Sequence, residues 1–277
     1  GSIPVHQVLN ANLNDLLASR VEVSGDEPLM ERKEQSGSWT SVSAREFDAQ
    51  VVAVAKGLVA LGVEPGDHVG IMSRTRYEWS LLDWAIWRAG AVTVPLYETS
   101  SVDQVEWILS DADVRLLVVE TSEHASTVEA ARAGAPALRS VHTIDDGAVD
   151  GLVAAGAEVS DDEILRRRSL AGLDDVATII YTSGTTGRPK GAELTHGNFY
   201  VLTVNATEGL REVLHHGRRR TLLFMPLAHV FARFIHVLVV PAGSVLGHTP
   251  DTATLLEDLA GFQPSYILSV PRVFEKV

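Results

Sequence analysis

HVGIMSRTRYEWSLLDWAIWRAGAVTVPLY, residues 68–97, contains one complete strand–helix–strand unit. Residues 68–73 and 91–97 are short, apolar and strand-like, while Tyr77, Leu81, Trp84 and Arg88 between them recur at helical spacing. Upstream, Phe47, Val51, Val54, Leu58 and Leu61 mark another helical face, and Gly62 stands where a left-handed C-cap would end that helix. Downstream, Ser101 and Gln104 have capping-box spacing ahead of VEWIL, and VRLLVVET (114–121) reads as a buried strand. Strands thus begin at 68, 91 and 114, 23 residues apart, which suits a strand, a helix and two short loops in a right-handed crossover. The fold class expected is α/β, with mostly parallel sheets and flanking helices.

Further strands are expected at 140–145, 178–183, 221–226, 244–249 and 265–270. Residues 147–172, which include SDDEILRRRS, read as an exposed helical connection with acidic residues near the positive end of a helix. The expected division is a first α/β subdomain over 1–172 and a partial second subdomain over 173–277. A helix starting at Pro271 has only seven residues left, so the chain reads as cut inside a larger domain.

The 277 residues, 45 % hydrophobic, suffice for a substantial core in one large or two modest domains. Lys and Arg number 23 against 36 Asp and Glu, a net charge of −13, and no basic run exceeds Arg218–Arg220. Broad binding to a nucleic-acid backbone needs clustered cations, so nucleic acid is not expected as a partner. Cysteine is absent, which removes disulfides, thiolate nucleophiles and cysteine metal sites; a cytoplasmic location is the expectation. No apolar run approaches the ~20 residues of a membrane helix, since 234–246 contains His236, Pro241 and Gly243. The opening GSIPVHQ lacks a signal-peptide pattern, and Gly1-Ser2 reads as a cloning remnant. Trp39, Trp79, Trp84, Trp87 and Trp107 are read as packing residues.

The segment richest in chemistry is YTSGTTGRPKG, Tyr181 to Gly191, after the apolar run ATII and ahead of a helix-like stretch near His196. Its three glycines let successive N–H groups converge on an anion, Thr182, Ser183, Thr185 and Thr186 add hydroxyl donors, and Lys190 adds a cation. Such a cluster suits a polyphosphate leaving group. A solvated Gly/Ser/Thr turn is the plain alternative. A Walker loop is excluded by spacing, because Lys190 lies between Pro189 and Gly191, and GxGxxG does not occur in the loop. The HHGRRR run (215–220) reads as a solvated turn.

YTSGTTGRPKGAELTHGNF resembles the signature loop of the adenylate-forming superfamily, which includes acyl-CoA synthetases, luciferases and nonribosomal peptide adenylation domains. LLFMPLAHVFARF (222–234) and ILSVPRVFEKV (267–277) are similar to segments of long-chain fatty acyl-CoA synthetases. The resemblance runs from about residue 40 to the C-terminus.

It implies an enzyme that binds ATP with Mg2+ and a fatty acid, forms an acyl-adenylate with loss of pyrophosphate, and passes the acyl group to coenzyme A. The loop positions Thr182, Ser183, Gly184, Thr185, Thr186, Gly187 and Lys190 would then hold the β- and γ-phosphates, with Thr182 also helping to place Mg2+. His229 matches a position beside the acyl carboxylate and the α-phosphate. Arg233 falls where some relatives place an aromatic gate to the acyl tunnel; arginine argues against gating, and a surface or salt-bridged residue is the equal alternative. The family's adenine, ribose and C-terminal catalytic elements are not found in this sequence, so these 277 residues alone are expected not to turn over. An adenylating ligase for an aryl or medium-chain acid, and a non-catalytic nucleotide- or acyl-binding module, are the competing readings. Oligomeric state is left open. An acidic surface disfavours anionic lipid, yet peripheral contact could still collect acyl substrates from a bilayer.

Overall fold

The computed structural model describes residues 11–182, 188–213 and 219–268. Along them the strands are β1 Pro28–Lys33, β2 Trp39–Ser43, β3 His68–Met72, β4 Val92–Leu96, β5 Leu116–Val119, β6 Ser140–Thr143, β7 Val176–Tyr181, β8 Gly191–Thr195, β9 Arg220–Leu223 and β10 Val245–His248. Six form one sheet in the order β6-β5-β3-β4-β7-β8, parallel except for the β7–β8 pair. The other four form a second sheet, β2-β1-β10-β9, parallel except for β1–β2. The α/β class and the mostly parallel pairing are as the sequence indicates, and β3 to β6 start within two residues of their expected positions.

The central strands β5, β3, β4 and β7 of the six-stranded sheet are buried on both faces, which explains why they lack polar alternation. Val69, Ile71, Leu116 and Val118 face a core shared with the Ala44–Ala60 and Tyr77–Arg88 helices and with Leu29, Met30, Leu223 and Leu246 of the second sheet. Leu117 and Val119, one residue out of phase, pack into a separate cluster with Val105, Leu109 and Val128. Trp79, Trp84 and Trp87 are fully buried in the shared core, and the Trp87 indole donates to the Ala177 carbonyl at 2.9 Å. The Ala44–Ala60 helix ends as expected. Gly62 takes φ +94°, while the amides of Gly62 and Val63 donate back to Val59 and Leu58, a Schellman closure.

Three local expectations are corrected. Of residues 265–270, those described lie outside any strand; the Ser265 and Tyr266 amides both donate to the Arg220 carbonyl instead. The 147–172 connection forms helices Ala148–Ala155 and Asp161–Arg168 that are not wholly exposed. A Cβ on Gly57 would lie 2.1 Å from the Leu152 oxygen, so this connector packs hard against the Ala44–Ala60 helix. Arg167 turns inward to donate to the Val63 and Ala89 carbonyls, at 2.6 and 3.2 Å. The run 215–220 is only partly described; Arg219 and Arg220 are half-buried and bind the Ala242 carbonyl and Glu31 rather than standing free in solvent.

Residue 172 does not separate the two sheets. β7 and β8, which follow it, complete the first sheet through the parallel pair Thr93↔Thr178, whereas β1 and β2 join β9 and β10 through Met30↔Leu246. Strand pairing at these points is long-range, and no local periodicity encodes it.

Candidate active site

Thr182 leaves the end of β7, which is buried from Ala177 to Tyr181, and its own side chain is exposed. Ser183, Gly184, Thr185, Thr186 and Gly187 lie outside the described residues. The chain is described again at Arg188, and Lys190 is exposed immediately before β8. The loop therefore joins two antiparallel strands closed by the pair Tyr181↔Gly191, and leads into a strand rather than directly into a helix. The helix begins five residues later, at His196. Gly191 is required at the closure, because a Cβ there would lie 2.5 Å from Ile179 and 3.0 Å from the Tyr181 ring.

Both stems of the loop are held by one helix, Val102–Asp111. On the upstream side the Tyr181 hydroxyl donates to Asp111 at 2.6 Å, and burial together with the Asp111 charge raises the phenol pKa. Downstream, Trp107 donates its indole N–H to the Pro189 carbonyl at 2.7 Å, and the Arg188 guanidinium lies 4.8 Å from the centre of its ring. Trp107 thus does more than pack, a role its sequence context does not signal.

His229 stands at the N-cap of the Val230–Leu238 helix, with an exposed side chain whose Nδ1 accepts the Phe231 amide at 3.1 Å. The segment before it is tied to the connection that follows β3, where the Thr75 hydroxyl donates to the Met225 carbonyl at 2.6 Å. Among the described residues no hydrogen bond joins His229 to Thr182 or Lys190. The link between their supports is Arg233, one turn into the helix.

Arg233 is completely buried rather than at the surface, and it is salt-bridged, as one of the expected alternatives had it. Its Nε and Nη2 donate to the two carboxylate oxygens of Asp83 at 3.0 and 2.9 Å, and its Nη1 donates to the Thr178 hydroxyl at 3.0 Å. Burial opposes the Asp83 charge, but Arg233, with His236 and Thr93, outweighs it and holds the carboxyl below its ordinary pKa. His236 Nε2 approaches Asp83 to 2.9 Å without the alignment of a hydrogen bond, and burial lowers its pKa. The Ser80 hydroxyl bridges His236 Nδ1 at 3.0 Å and His248 Nε2 at 2.7 Å. This polar cluster escapes sequence reading; its one signal is an arginine within the apolar run VFARFIHVL.

Among the described residues no group of three or more His, Asp or Glu side chains could hold a metal ion. A single hydroxyl such as Thr182 fits a magnesium ion that arrives on nucleotide phosphates and keeps several waters. No described helix is long and apolar enough to cross a membrane.

Residues 17–277 match the AMP-binding enzyme family. The chain belongs to that family. The chain is 46 % identical over 244 residues to the long-chain-fatty-acid–CoA ligase FadD15 of Mycobacterium bovis, covering 87 % of the chain and 40 % of the ligase. It is 34 % identical over 241 residues to the feruloyl-CoA synthase of an Amycolatopsis species, covering 86 % of the chain and 45 % of the synthase. The chain thus spans less than half the length of these relatives. The N-terminal domain of FACL13 from Mycobacterium tuberculosis, solved with an inhibitor bound, superimposes with a TM-score of 0.77 over 95 % of this chain and 64 % of that one, at 23 % identity, which shows the shared fold.

Proposed function

We propose that the protein of which these residues form the adenylating part activates a long-chain fatty acid. The fatty carboxylate attacks the α-phosphorus of ATP, the bond to the β-phosphate oxygen breaks, and pyrophosphate leaves. The thiol of coenzyme A then attacks the acyl carbonyl and displaces AMP, with the thiol proton passing to solvent. The observation that carries this reading is the loop itself: a Gly- and hydroxyl-rich connection with both stems fixed to one helix and an exposed lysine at its exit. Similarity to a long-chain-fatty-acid–CoA ligase supports the choice of acid.

Within this reading Thr182, Ser183, Gly184, Thr185, Thr186, Gly187 and Lys190 receive the outer phosphates. Lys190 offsets the charge that grows on the departing pyrophosphate. Magnesium, when bound with the nucleotide, neutralises further phosphate charge, and Thr182 is the residue that would meet it. His229 presents its ring at a helix N-terminus, where it can orient the incoming carboxylate. A cytoplasmic setting belongs to the same proposal.

The test is fatty-acid-dependent exchange of pyrophosphate into ATP by the full-length gene product, over a panel of chain lengths and aryl acids, followed by acyl-CoA formation. Exchange greatest with long-chain acids supports the proposal. Exchange only with aryl acids favours the second reading, for which the similarity to feruloyl-CoA synthase speaks. Nucleotide binding without exchange would point to a non-catalytic module. The 277 residues alone are expected to give no exchange.

A further inference from the structure

We propose that Arg233 is a positioning residue for adenylation, a buried fork that fixes the His229-bearing helix to the strand that delivers the phosphate loop. The inference rests on the function proposed above but concerns a residue that touches no substrate. The Arg233 amide donates to the His229 carbonyl at 3.2 Å, so its guanidinium is one turn from the cap residue. That guanidinium closes a ring of hydrogen bonds. Asp83 accepts two of them; Thr178 accepts the third and donates its own hydroxyl to the Thr93 carbonyl at 2.7 Å; the Thr93 hydroxyl donates to Asp83 at 2.7 Å. Arg233, Asp83, Thr93 and Thr178 are all completely buried.

Four elements meet in this ring: the Tyr77–Arg88 helix, β4, β7 and the Val230–Leu238 helix. Among the described residues Arg233 is the only side chain of its helix that hydrogen-bonds β7. Thr178 lies four residues before Thr182, so the bond is made to the same rigid strand from which the phosphate loop leaves. Arginine suits the task because its planar fork fixes direction as well as distance, and the Trp79 and Trp87 rings, 5.0 and 5.5 Å from its central carbon, confine it further. Stability alone gives a weak reason to bury such a pair, since well-packed apolar residues of similar volume often serve as well or better. Geometry gives a stronger one, because small misplacements of a reacting group have large kinetic effects.

A double-mutant cycle on the full-length gene product separates positioning from support of the fold. Arg233→Lys keeps the charge and removes the fork. In the wild-type background it is expected to lower kcat for acid-dependent pyrophosphate exchange about 10- to 100-fold, with KM for ATP changed by less than about threefold. In a His229→Ala background the same substitution is expected to change kcat by less than about twofold, because the group it positions is gone. If the Lys variant is not recovered folded, the charge-free pair Asp83→Asn/Arg233→Met takes its place in the cycle, with the same expectations. Equal, multiplicative losses in both backgrounds, or a folded variant with wild-type kcat, overturn the proposal while leaving the functional reading intact. A wild-type protein without exchange for any acid overturns both.

Discussion

The Trp107 indole nitrogen lies 2.7 Å from the Pro189 carbonyl oxygen, one residue before Lys190, while Asp111 on the same helix holds Tyr181 on the opposite stem. One helix thereby sets the mouth of the loop proposed to hold the phosphates. Trp107→Phe removes the donor and keeps an aromatic surface beside Arg188. A neutral hydrogen bond contributes about 1 kcal/mol, so KM for ATP should rise about fivefold in the full-length enzyme, with little change in melting temperature. An unchanged KM would mean that the stem tolerates movement and that Trp107 only packs.

Lys190 is exposed and forms no ion pair with another described residue. Replacement by alanine should leave the urea unfolding midpoint nearly unchanged and slow adenylation about 100-fold, the scale reported when one stabilising donor is removed from a developing anion. Single-turnover formation of acyl-adenylate is the measurement that isolates this step. Full-rate adenylation by Lys190→Ala would remove the lysine from the chemistry.

His229 has two separable tasks. It caps its helix through Nδ1, and in the proposed mechanism it also orients the carboxylate. Asparagine can reproduce the cap, whereas alanine cannot, at a cost of about 1 kcal/mol. His229→Asn should therefore retain wild-type stability and lose most adenylation activity; His229→Ala should lose both. An Asn variant with undiminished exchange would reduce the histidine to a helix cap.

What was legible in the sequence follows the range of the interactions involved. β3 to β5 are largely apolar runs separated by helices of regular spacing, so local pattern suffices to place them, and the same spacing places the more polar β6. β1, PLMERK, begins with proline and carries three charges, β2 is half-exposed, and β8, GAELT, is short and mixed; each is a strand because of its partner rather than its composition. The same distinction holds in the site. Thr182, Lys190 and His229, proposed to meet the nucleotide and the acid, stand in contiguous motifs, so the proposal for them can be made from sequence. The Asp83–Arg233–Thr178 ring joins residues 150 and 55 positions apart, and only the folded chain reveals it.

Buried histidines make stability depend on pH in a defined window. Burial pulls His196 down to about 4, with Nδ1 accepting the Leu13 amide at 3.1 Å, and pulls His248 down to about 3, where Nε2 shares a hydrogen bond with Ser80. Unfolded, both would titrate near 6.5. Between 6.5 and about 4 the unfolded chain takes up protons that the folded chain refuses, so stability is full above 6.5 and falls as pH drops, by up to about 1.4 kcal/mol per pH unit for each group. Asp83, Glu78 and Glu120 are held below their ordinary values, so their contributions are lost only at lower pH. The interval from pH 6.5 to 5 thus belongs mainly to the histidines. Urea midpoints measured across it should decline steadily, and His196→Asn, which still offers Leu13 an acceptor, should show a shallower decline than wild type. Midpoints that do not move between pH 7 and 5 would mean that these rings are already solvated or charged in the folded protein.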